Sequence, residues 1–198
     1  VRIGSAGFAN PVLLASGTCS YGQELADLLD LSQVGGLITK TITPRPRAGN
    51  RPPRIVETPA GMLNSIGLQN PGIEAFLASY WPYLRTLRTA VVVNIAGESA
   101  EEFGALAARL DEVPGIAALE VNISCPNVAR GGMLFGTDPA AAAAAVGAVR
   151  RGTRLPVIAK LTPNVTDIAE IAVAVEAAGA DAVSLINTLV GMAVDLDR

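Results

Sequence analysis

Short apolar stretches recur along the chain, and stretches with the spacing of amphipathic helices separate them. These stretches lack the strict alternation of a strand with one solvated face, so both faces of each strand are expected to be buried. Strands that alternate with helices are typical of a parallel sheet covered by helices. The predicted strands lie near residues 12–16, 36–40, 90–93, 117–121, 157–159 and 182–186.

Two helices have clear start signals. Ser99 followed by Glu102 is a capping box, which satisfies backbone N–H groups at a helix start. Asp138 followed by Pro139 predicts the cap and first residue of an alanine-rich helix that ends near Arg151.

Three further helices have weaker signals. Thr166 is expected to cap a helix that Gly179 closes. Apolar periodicity also predicts helices near residues 23–31 and 72–88, and Pro82 should kink the second of them.

The segment 43–70 differs from the rest of the chain, because it holds five prolines and four arginines and has no long helical period. So long a connection in a compact domain is usually functional. A solvated surface excursion or a small hairpin is the alternative. The segment 61–72, GMLNSIGLQNPG, mixes apolar residues with amides and suits the lining of a pocket.

The alternation predicts a TIM (β/α)8 barrel rather than a doubly wound sheet, because no glycine-rich dinucleotide turn follows the first strand. About six of the eight strands are present, so residues 1–198 are expected to form a single, incomplete barrel domain. The strands expected to be missing carry the phosphate loops of such barrels. With the missing Met and the abrupt end, this predicts a fragment, which by itself would bind a phosphorylated cofactor weakly or not at all.

Polar residues follow the predicted strands at the point where each strand ends. In a barrel these positions converge on one rim, where active sites are built. A single polar strand end is more often only a terminus that reaches solvent, but chance does not easily account for the whole set. These residues are Ser16, Lys40, Asn94, Asn122, Lys160 and Asn187.

Composition narrows the chemistry available at this rim. The chain has no histidine, and of its 15 basic side chains only Lys40 and Lys160 are lysines. The usual general base is therefore absent, and most zinc and iron sites are disfavoured. Of the two cysteines, Cys125 lies on a polar loop and is the candidate base, whereas Cys19 is interpreted as packing. By itself, the stretch LEVNISCPNVARGGMLFG fits a site and a simple polar turn about equally.

Charge and hydropathy exclude other classes of function. The formal net charge of -3 provides no basic surface for nucleic acid. The longest apolar run, residues 139–149, is too short to span a bilayer. No secretory signal is visible, so a soluble cytoplasmic protein is expected.

Several motifs in the same order resemble a known family. NISCPNV with the following GGMLFG, ITKTIT, LNSIGLQNPG and SLINT are together similar to class 1 dihydroorotate dehydrogenases, whose base is cysteine. The likeness extends from about Asn10 to the end. The glycine-containing loop is more similar to the NAD-linked subgroup than to the fumarate-linked one.

The resemblance implies an FMN-linked barrel that oxidises dihydroorotate to orotate in pyrimidine biosynthesis. Cys125 would remove the C5 proton while hydride passes from C6 to the flavin. Residues implied to bind substrate are Lys40, Asn64, Ser65, Ile66, Gly67, Leu68, Asn122, Asn127, Asn187 and Thr188. Residues implied to bind FMN are Ser16, Lys40, Thr41, Asn94, Asn122, Lys160 and Ile186, and no metal ligand is implied.

The same resemblance implies partners. A homodimer is expected, with FAD and a [2Fe-2S] cluster only on a separate electron-transfer subunit, and no nucleic acid or membrane partner. Two alternatives stay open. One is another FMN-dependent pyrimidine-ring enzyme such as dihydropyrimidine dehydrogenase, and the other is a truncated, non-catalytic half-barrel.

Overall fold

A computed structural model describes residues 1–124, 126–127 and 133–194 of the chain. Its largest feature is a six-stranded parallel sheet in the order β3-β4-β7-β8-β11-β12, and the other strands pair in antiparallel twos. The strands are β1 (Arg2–Ile3), β2 (Ala6–Gly7), β3 (Leu13–Leu14), β4 (Gly36–Ile38), β5 (Ile55–Thr58), β6 (Gly61–Asn64), β7 (Ala90–Ile95), β8 (Ala118–Asn122), β9 (Pro126–Asn127), β10 (Met133–Leu134), β11 (Val157–Lys160) and β12 (Ala182–Ser184).

The strand order distinguishes the predicted barrel from the doubly wound sheet that was its alternative. Each strand of the large sheet lies beside the one that precedes it in this sheet, and all neighbours are parallel. A doubly wound sheet would reverse its order at a switch point, and no reversal occurs here. The sheet is therefore part of the wall of a (β/α)8 barrel, as predicted, and the six predicted strands all correspond to observed ones.

The two faces of the sheet have different neighbours. Alternate residues such as Leu119 and Val121 face the helices and belong to the larger core cluster. The intervening positions face the barrel interior, where Val92, Ala118 and Ile158 form an apolar layer. Ala6 and Phe8, from the β1–β2 hairpin and the residue that follows it, pack into the same layer and close that end of the barrel. Among the strand residues that the structure describes, the inward-facing side chains become polar toward the carboxyl ends of the strands.

Within the described residues, five α-helices and one π-helical segment cover the sheet. The predicted helix at 72–88 exists, but a π-helical turn at Phe76–Tyr80 interrupts it, and Pro82 lies at the start of the α-helix that follows. Both π-helical turns and prolines are common sites of helix kinks. The α-helices are α1 (Gly72–Ala75), α2 (Trp81–Leu84), α3 (Ala100–Asp111), α4 (Pro139–Gly152) and α5 (Ile168–Ala177).

The predicted helix at 23–31 is wrong. The structure has two short 3-10 helices there, Gln23–Leu25 and Leu31–Gln33. The Asp30 side chain accepts a hydrogen bond from the Ser32 N–H and thereby caps the start of the second 3-10 helix. An aspartate that bonds its local backbone in this way competes with continuation of a helix.

The predicted caps hold for two helices and shift for the third. Ser99 accepts from the Glu102 N–H, and Asp138 accepts from the Ala141 N–H. At α5 the cap is Asp167 rather than Thr166, since the Asp167 carboxylate accepts from Ala169 N at 2.7 Å. No helix within the described ranges is long and apolar enough to cross a membrane.

The proline- and arginine-rich segment contains the small hairpin of the alternative reading, formed by β5 and β6. Asn70 fastens the end of the segment to its beginning. Its buried side chain accepts from the N–H groups of Thr43 and Gly72 and donates to the Leu68 carbonyl. The hairpin is thereby held over the carboxyl ends of the strands.

Candidate active site

A cavity of about 610 Å³ lies at the carboxyl ends of the parallel strands, beneath the β5–β6 hairpin. Strand ends supply its walls and the hairpin supplies its cover. Most of the predicted site residues line it, in agreement with the convergence of strand ends on one rim. Those residues are Ser16, Lys40, Thr41, Asn64, Ile66, Gly67, Leu68, Asn94, Asn122, Lys160, Asn187 and Thr188.

Two predicted residues do not line the cavity. Ser65 follows the end of β6, and its backbone is hydrogen-bonded on both sides. Its N–H donates to the Arg54 carbonyl, and its own carbonyl accepts from Asn50 Nδ2. Ile186 is 44% exposed beyond the end of β12. Cys125 and the side chain of Asn127 lie outside the described residues, so their predicted roles stay predictions.

The strand register brings the polar side chains into one layer. Lys160 on β11 pairs in register with Asn122 on β8 and with Ser184 on β12. Glu120 on β8 lies beside Asn94 on β7. Because side chains alternate across a strand, positions 120 and 122 both face the interior.

Glu120 is the most buried carboxylate of the site, and the sequence prediction missed it. Its side chain is 1% exposed. It accepts hydrogen bonds from Asn94 Nδ2 and, at 3.0 Å, from the Ser184 hydroxyl, and Lys160 Nζ lies 4.0 Å away. The sequence prediction took only the polar residues that follow each strand, whereas Glu120 lies inside β8. Its two-residue spacing from Asn122 indicates that the two side chains share one face of the sheet.

Asn122 connects the neighbouring strand ends. Its Oδ1 accepts from Asn187 Nδ2 at 3.0 Å and from the Ser124 N–H at 3.1 Å. Its Nδ2 reaches Thr41 Oγ1 at 3.5 Å, the limit of a hydrogen bond. The amides of Asn122 and Asn187 are thus oriented by protein contacts, and both border the cavity.

The mouth of the cavity near Thr188 is fixed by a residue that the sequence reading did not single out. Asn164 Nδ2 donates to the Thr188 carbonyl at 3.1 Å, and Asn164 Oδ1 accepts from Val190 N at 3.0 Å. The segment after β12 therefore has a defined path beside the hairpin.

The cover also contributes three residues that were not named individually as site residues, although Met62 and Gln69 lie in the segment 61–72, which was predicted to line a pocket. Arg54, Met62 and Gln69 line the cavity, and Arg54 Nη2 donates to Gln69 Oε1. Gly67 and Leu68 both have positive φ, 73° and 55°, and form a tight turn. A side chain at Gly67 would meet the Asn50 backbone N at 2.8 Å, so glycine is required by this close approach.

Comparison with known proteins places the sequence of the chain in a family. The family model described as "Dihydroorotate dehydrogenase" matches residues 1–198. The chain belongs to the dihydroorotate dehydrogenase family. The resemblance of the five motifs is therefore confirmed.

Similar members are curated as "Dihydroorotate dehydrogenase B (NAD(+)), catalytic subunit". The chain is 59% identical over 198 residues to the protein of Geotalea daltonii, and covers 100% of itself and 65% of that protein. It is 60% identical over 198 residues to the protein of Desulforudis audaxviator, again with 100% of this chain and 64% of the relative covered. The chain thus spans about two thirds of the length of these relatives.

Lys40 is another cationic residue of this cavity, beside Lys160 and Arg54. It lies between the β4 end and the hairpin, and its N–H donates to the Ser20 carbonyl. Partial burial, and to a smaller extent the positive charge of Arg54, lower the pKa of the Lys40 ammonium. Three cationic side chains, those of Lys40, Arg54 and Lys160, therefore line one cavity, which favours an anionic ligand.

We expect Lys40→Met to stabilise the ligand-free protein while it weakens binding of an anionic substrate. The pKa of Lys40 is lowered in the fold, so its charge destabilises the fold below that pKa, and the penalty is relieved as pH rises toward the unfolded value of 10.5. Loss of a charged hydrogen-bond donor should weaken carboxylate binding by about tenfold or more.

Chemical denaturation and substrate titration at pH 7 and pH 10 measure both effects. The stability gain of the Met variant should shrink at the higher pH. A variant less stable than the parent at pH 7, or a gain that grows with pH, would contradict this account of Lys40.

Cys19 is packed rather than poised for chemistry, as predicted. It is 3% exposed, and its Sγ contacts the Ile38 carbonyl at 3.9 Å. Burial raises the pKa of the Cys19 thiol, which disfavours the reactive thiolate. Among the described residues, no cluster of three or more potential metal-ligating side chains occurs.

Proposed function

We propose that the whole protein oxidises dihydroorotate to orotate in pyrimidine biosynthesis, with FMN as its bound cofactor. The observation that carries the proposal is the cavity at the strand ends, where Lys40 and Lys160 lie among the amides of Asn94, Asn122 and Asn187. An anionic ring with imide-like edges needs cations together with groups that both donate and accept. The names of the relatives, with identities near 60%, agree with this substrate.

The residues present fit a flavin. Members of this family are flavin-dependent, and a flavin supplies an acceptor for hydride from substrate C6. Asn94 Oδ1 is buried without a hydrogen-bond partner among the described residues, although its amide lines the cavity. Such an acceptor fits a ring N–H. Ser16, Thr41 and Lys160 would hold the other parts of FMN, and Ile186 stays in the proposal although it lies outside the cavity lining.

The substrate would bind between the cover and the rim. The tight turn at Gly67 and Leu68 would present backbone N–H groups to the substrate carboxylate, since such turns form anion-binding concavities. Asn64, Ser65 and Ile66 would complete that side. Lys40 would pair with the same carboxylate or with developing charge beside it.

The pyrimidine ring would be read by amides whose orientation is already set. Asn122 and Asn187 hold each other through one hydrogen bond, which leaves Asn122 Nδ2 toward Thr41 and the cavity. Thr188 and Asn127 would add contacts on either side. Preset amides cost less ordering when the ring binds.

Cys125 would act as the base. Its thiolate would take the C5 proton of dihydroorotate, and the pair of electrons from that C–H bond would form the new C5–C6 double bond as hydride leaves C6. The chain has no histidine that could replace it. Ser124, the residue before it, donates its backbone N–H to the side-chain Oδ1 of Asn122, a residue that lines the cavity.

We also propose the partner proteins and the cellular location of the enzyme. "Catalytic subunit" in the names of the relatives implies, for those proteins, a separate partner subunit. For this protein we propose an electron-transfer subunit with FAD and a [2Fe-2S] cluster, a homodimer of catalytic chains, and a cytoplasmic location. Residues 1–198 would form one domain of that assembly.

The test is reconstitution of the whole protein with FMN, followed by assay with dihydroorotate and with dihydrouracil. We expect a yellow protein that turns over dihydroorotate and is slow with dihydrouracil, which has no carboxylate for the cations of the site. Preference for dihydrouracil would support a dihydropyrimidine dehydrogenase instead. A colourless protein after incubation with FMN would indicate a non-catalytic half-barrel.

A further inference from the structure

We propose that Glu120 is a positioning residue that sets the orientation of Asn94 and Lys160 toward the flavin. The inference rests on the proposed function, because it concerns the residues that would hold FMN. Glu120 does not line the cavity; it lies behind the residues that do.

The contacts of Glu120 join β8 to three other strands of the sheet. Oε1 accepts from Asn94 Nδ2 on β7, and Oε2 accepts from the Ser184 hydroxyl on β12 at 3.0 Å. Lys160 Nζ on β11 lies 4.0 Å from Oε1. Both carboxylate oxygens of Glu120 therefore accept hydrogen bonds from residues inside the barrel.

Burial of a carboxylate in this place needs a reason. Glu120 is 1% exposed, and a charge so buried is costly unless it is paired and hydrogen-bonded. A well-packed apolar residue of similar volume often serves stability as well or better. The layer immediately below is apolar, with Val92, Ala118 and Ile158 facing inward. Glu120 lies at the position along the strands where the inward-facing side chains change from apolar to polar.

One consequence concerns the amide of Asn94. Because Nδ2 is engaged by Glu120, the opposite atom Oδ1 is fixed as an acceptor, and it is buried without a partner among the residues described. Without the carboxylate the amide could turn about its last torsion and present either atom. Glu120 therefore decides which edge of a ring Asn94 can recognise.

The other consequence concerns the ammonium of Lys160. Its side chain is 13% exposed and reaches the cavity from the wall, with Glu120 behind it. The carboxylate holds the ammonium near the wall in a defined place, where it can face negative charge that develops on the ring of the reduced cofactor. A flexible lysine without this contact would lose more freedom on binding.

The experiment measures FMN affinity of the whole protein by titration of the flavin-free form, followed by flavin fluorescence. Glu120→Gln keeps the shape of the side chain and removes its charge. We expect FMN binding to weaken by about 10–100-fold, the range of a hydrogen-bond set that involves a charged group. Ser184→Ala removes one support of the carboxylate with little change in volume, and should weaken binding by a smaller factor.

A double-mutant cycle separates positioning from simple stability. If Glu120 acts through Asn94 and Lys160, Glu120→Gln should weaken FMN binding much less in the Asn94→Ala, Lys160→Ala background than in the parent. Asp111→Asn is the matched control, because Asp111 also accepts several hydrogen bonds, from Thr153 and Arg154, but lies away from the cavity. It should lower the melting temperature and leave FMN affinity unchanged.

The outcomes distinguish this inference from the proposed function. A parent protein that binds no FMN overturns the proposed function and, with it, the role of Glu120. A parent that binds FMN while Glu120→Gln and Ser184→Ala bind it equally well overturns the positioning role alone. Equal losses in both backgrounds of the cycle also overturn it, because Glu120 would then act independently of Asn94 and Lys160.

Discussion

Cys125→Ala in the whole protein should lower kcat for dihydroorotate by about 10²–10⁴-fold, the usual contribution of a positioned general base. The C5 proton is only weakly acidic, and nothing in the side-chain inventory offers a histidine as substitute. FMN content and substrate affinity should change little, because other residues are proposed to hold the flavin and the substrate carboxylate.

Cys125→Ser should recover part of the lost turnover, and only at high pH. A thiol ordinarily titrates near pH 8.5, and a serine hydroxyl is a much weaker acid, so the serine variant has almost no anionic base at neutral pH. The measurement is kcat against pH for both variants and the parent protein.

Cys19→Ala is the matched control for this experiment. It removes the other thiol of the chain, which is buried and contacts the Ile38 carbonyl. This variant should keep parental turnover and lose some thermal stability. Unchanged kcat in Cys125→Ala would show that another group takes the C5 proton.

Lys160→Ala is expected to weaken FMN binding by about 10–100-fold, because it removes a charged donor from the cavity wall. It also leaves the Glu120 carboxylate, 1% exposed, without its nearby cation. Uncompensated negative charge near the cofactor disfavours a further negative charge there. The reduced cofactor should therefore be affected more than the oxidised one.

The measurements are FMN titration and the reduction potential of the bound flavin. Each tenfold excess loss in affinity of the reduced form lowers a two-electron potential by about 30 mV. Lys160→Arg keeps a cation at the wall and should retain much of the potential. Arg154→Ala removes a positive charge from a side chain that is 92% exposed, and should change neither quantity. A normal affinity and potential in Lys160→Ala would refute the role assigned to this lysine.

The site has a wall of strand ends and a cover that is held by hydrogen bonds from outside the cavity, so a substitution can affect binding through either part. Asn70 and Asn164 do not line the cavity, yet their side chains hold the segments that carry Leu68 and Thr188. Substitutions at either residue should disturb substrate binding through the cover. Substitutions at Glu120 should act instead through the wall.

The sequence by itself determined the strand content, the rim and most of the cavity lining. Parallel strands buried on both faces produce short apolar runs, and polar residues at their ends can only gather at one edge. Lys40, Asn94, Asn122 and Lys160 were found in this way, from local pattern alone. The caps at Ser99 and Asp138 were equally local, because a cap depends on residues only three positions apart.

The tertiary structure decided what depends on neighbours distant in sequence. The spacing of Glu120 from Asn122 within β8 indicates which face its side chain takes, but its partners come from β7, β11 and β12 and depend on the packing of the sheet. Gly67 was required because the Asn50 backbone comes close to it. The helix expected at 23–31 gave way to two short turns, since the Asp30 side chain bonds the Ser32 backbone in competition with the helix. Apolar periodicity states which face is buried, whereas only packing states what that face meets.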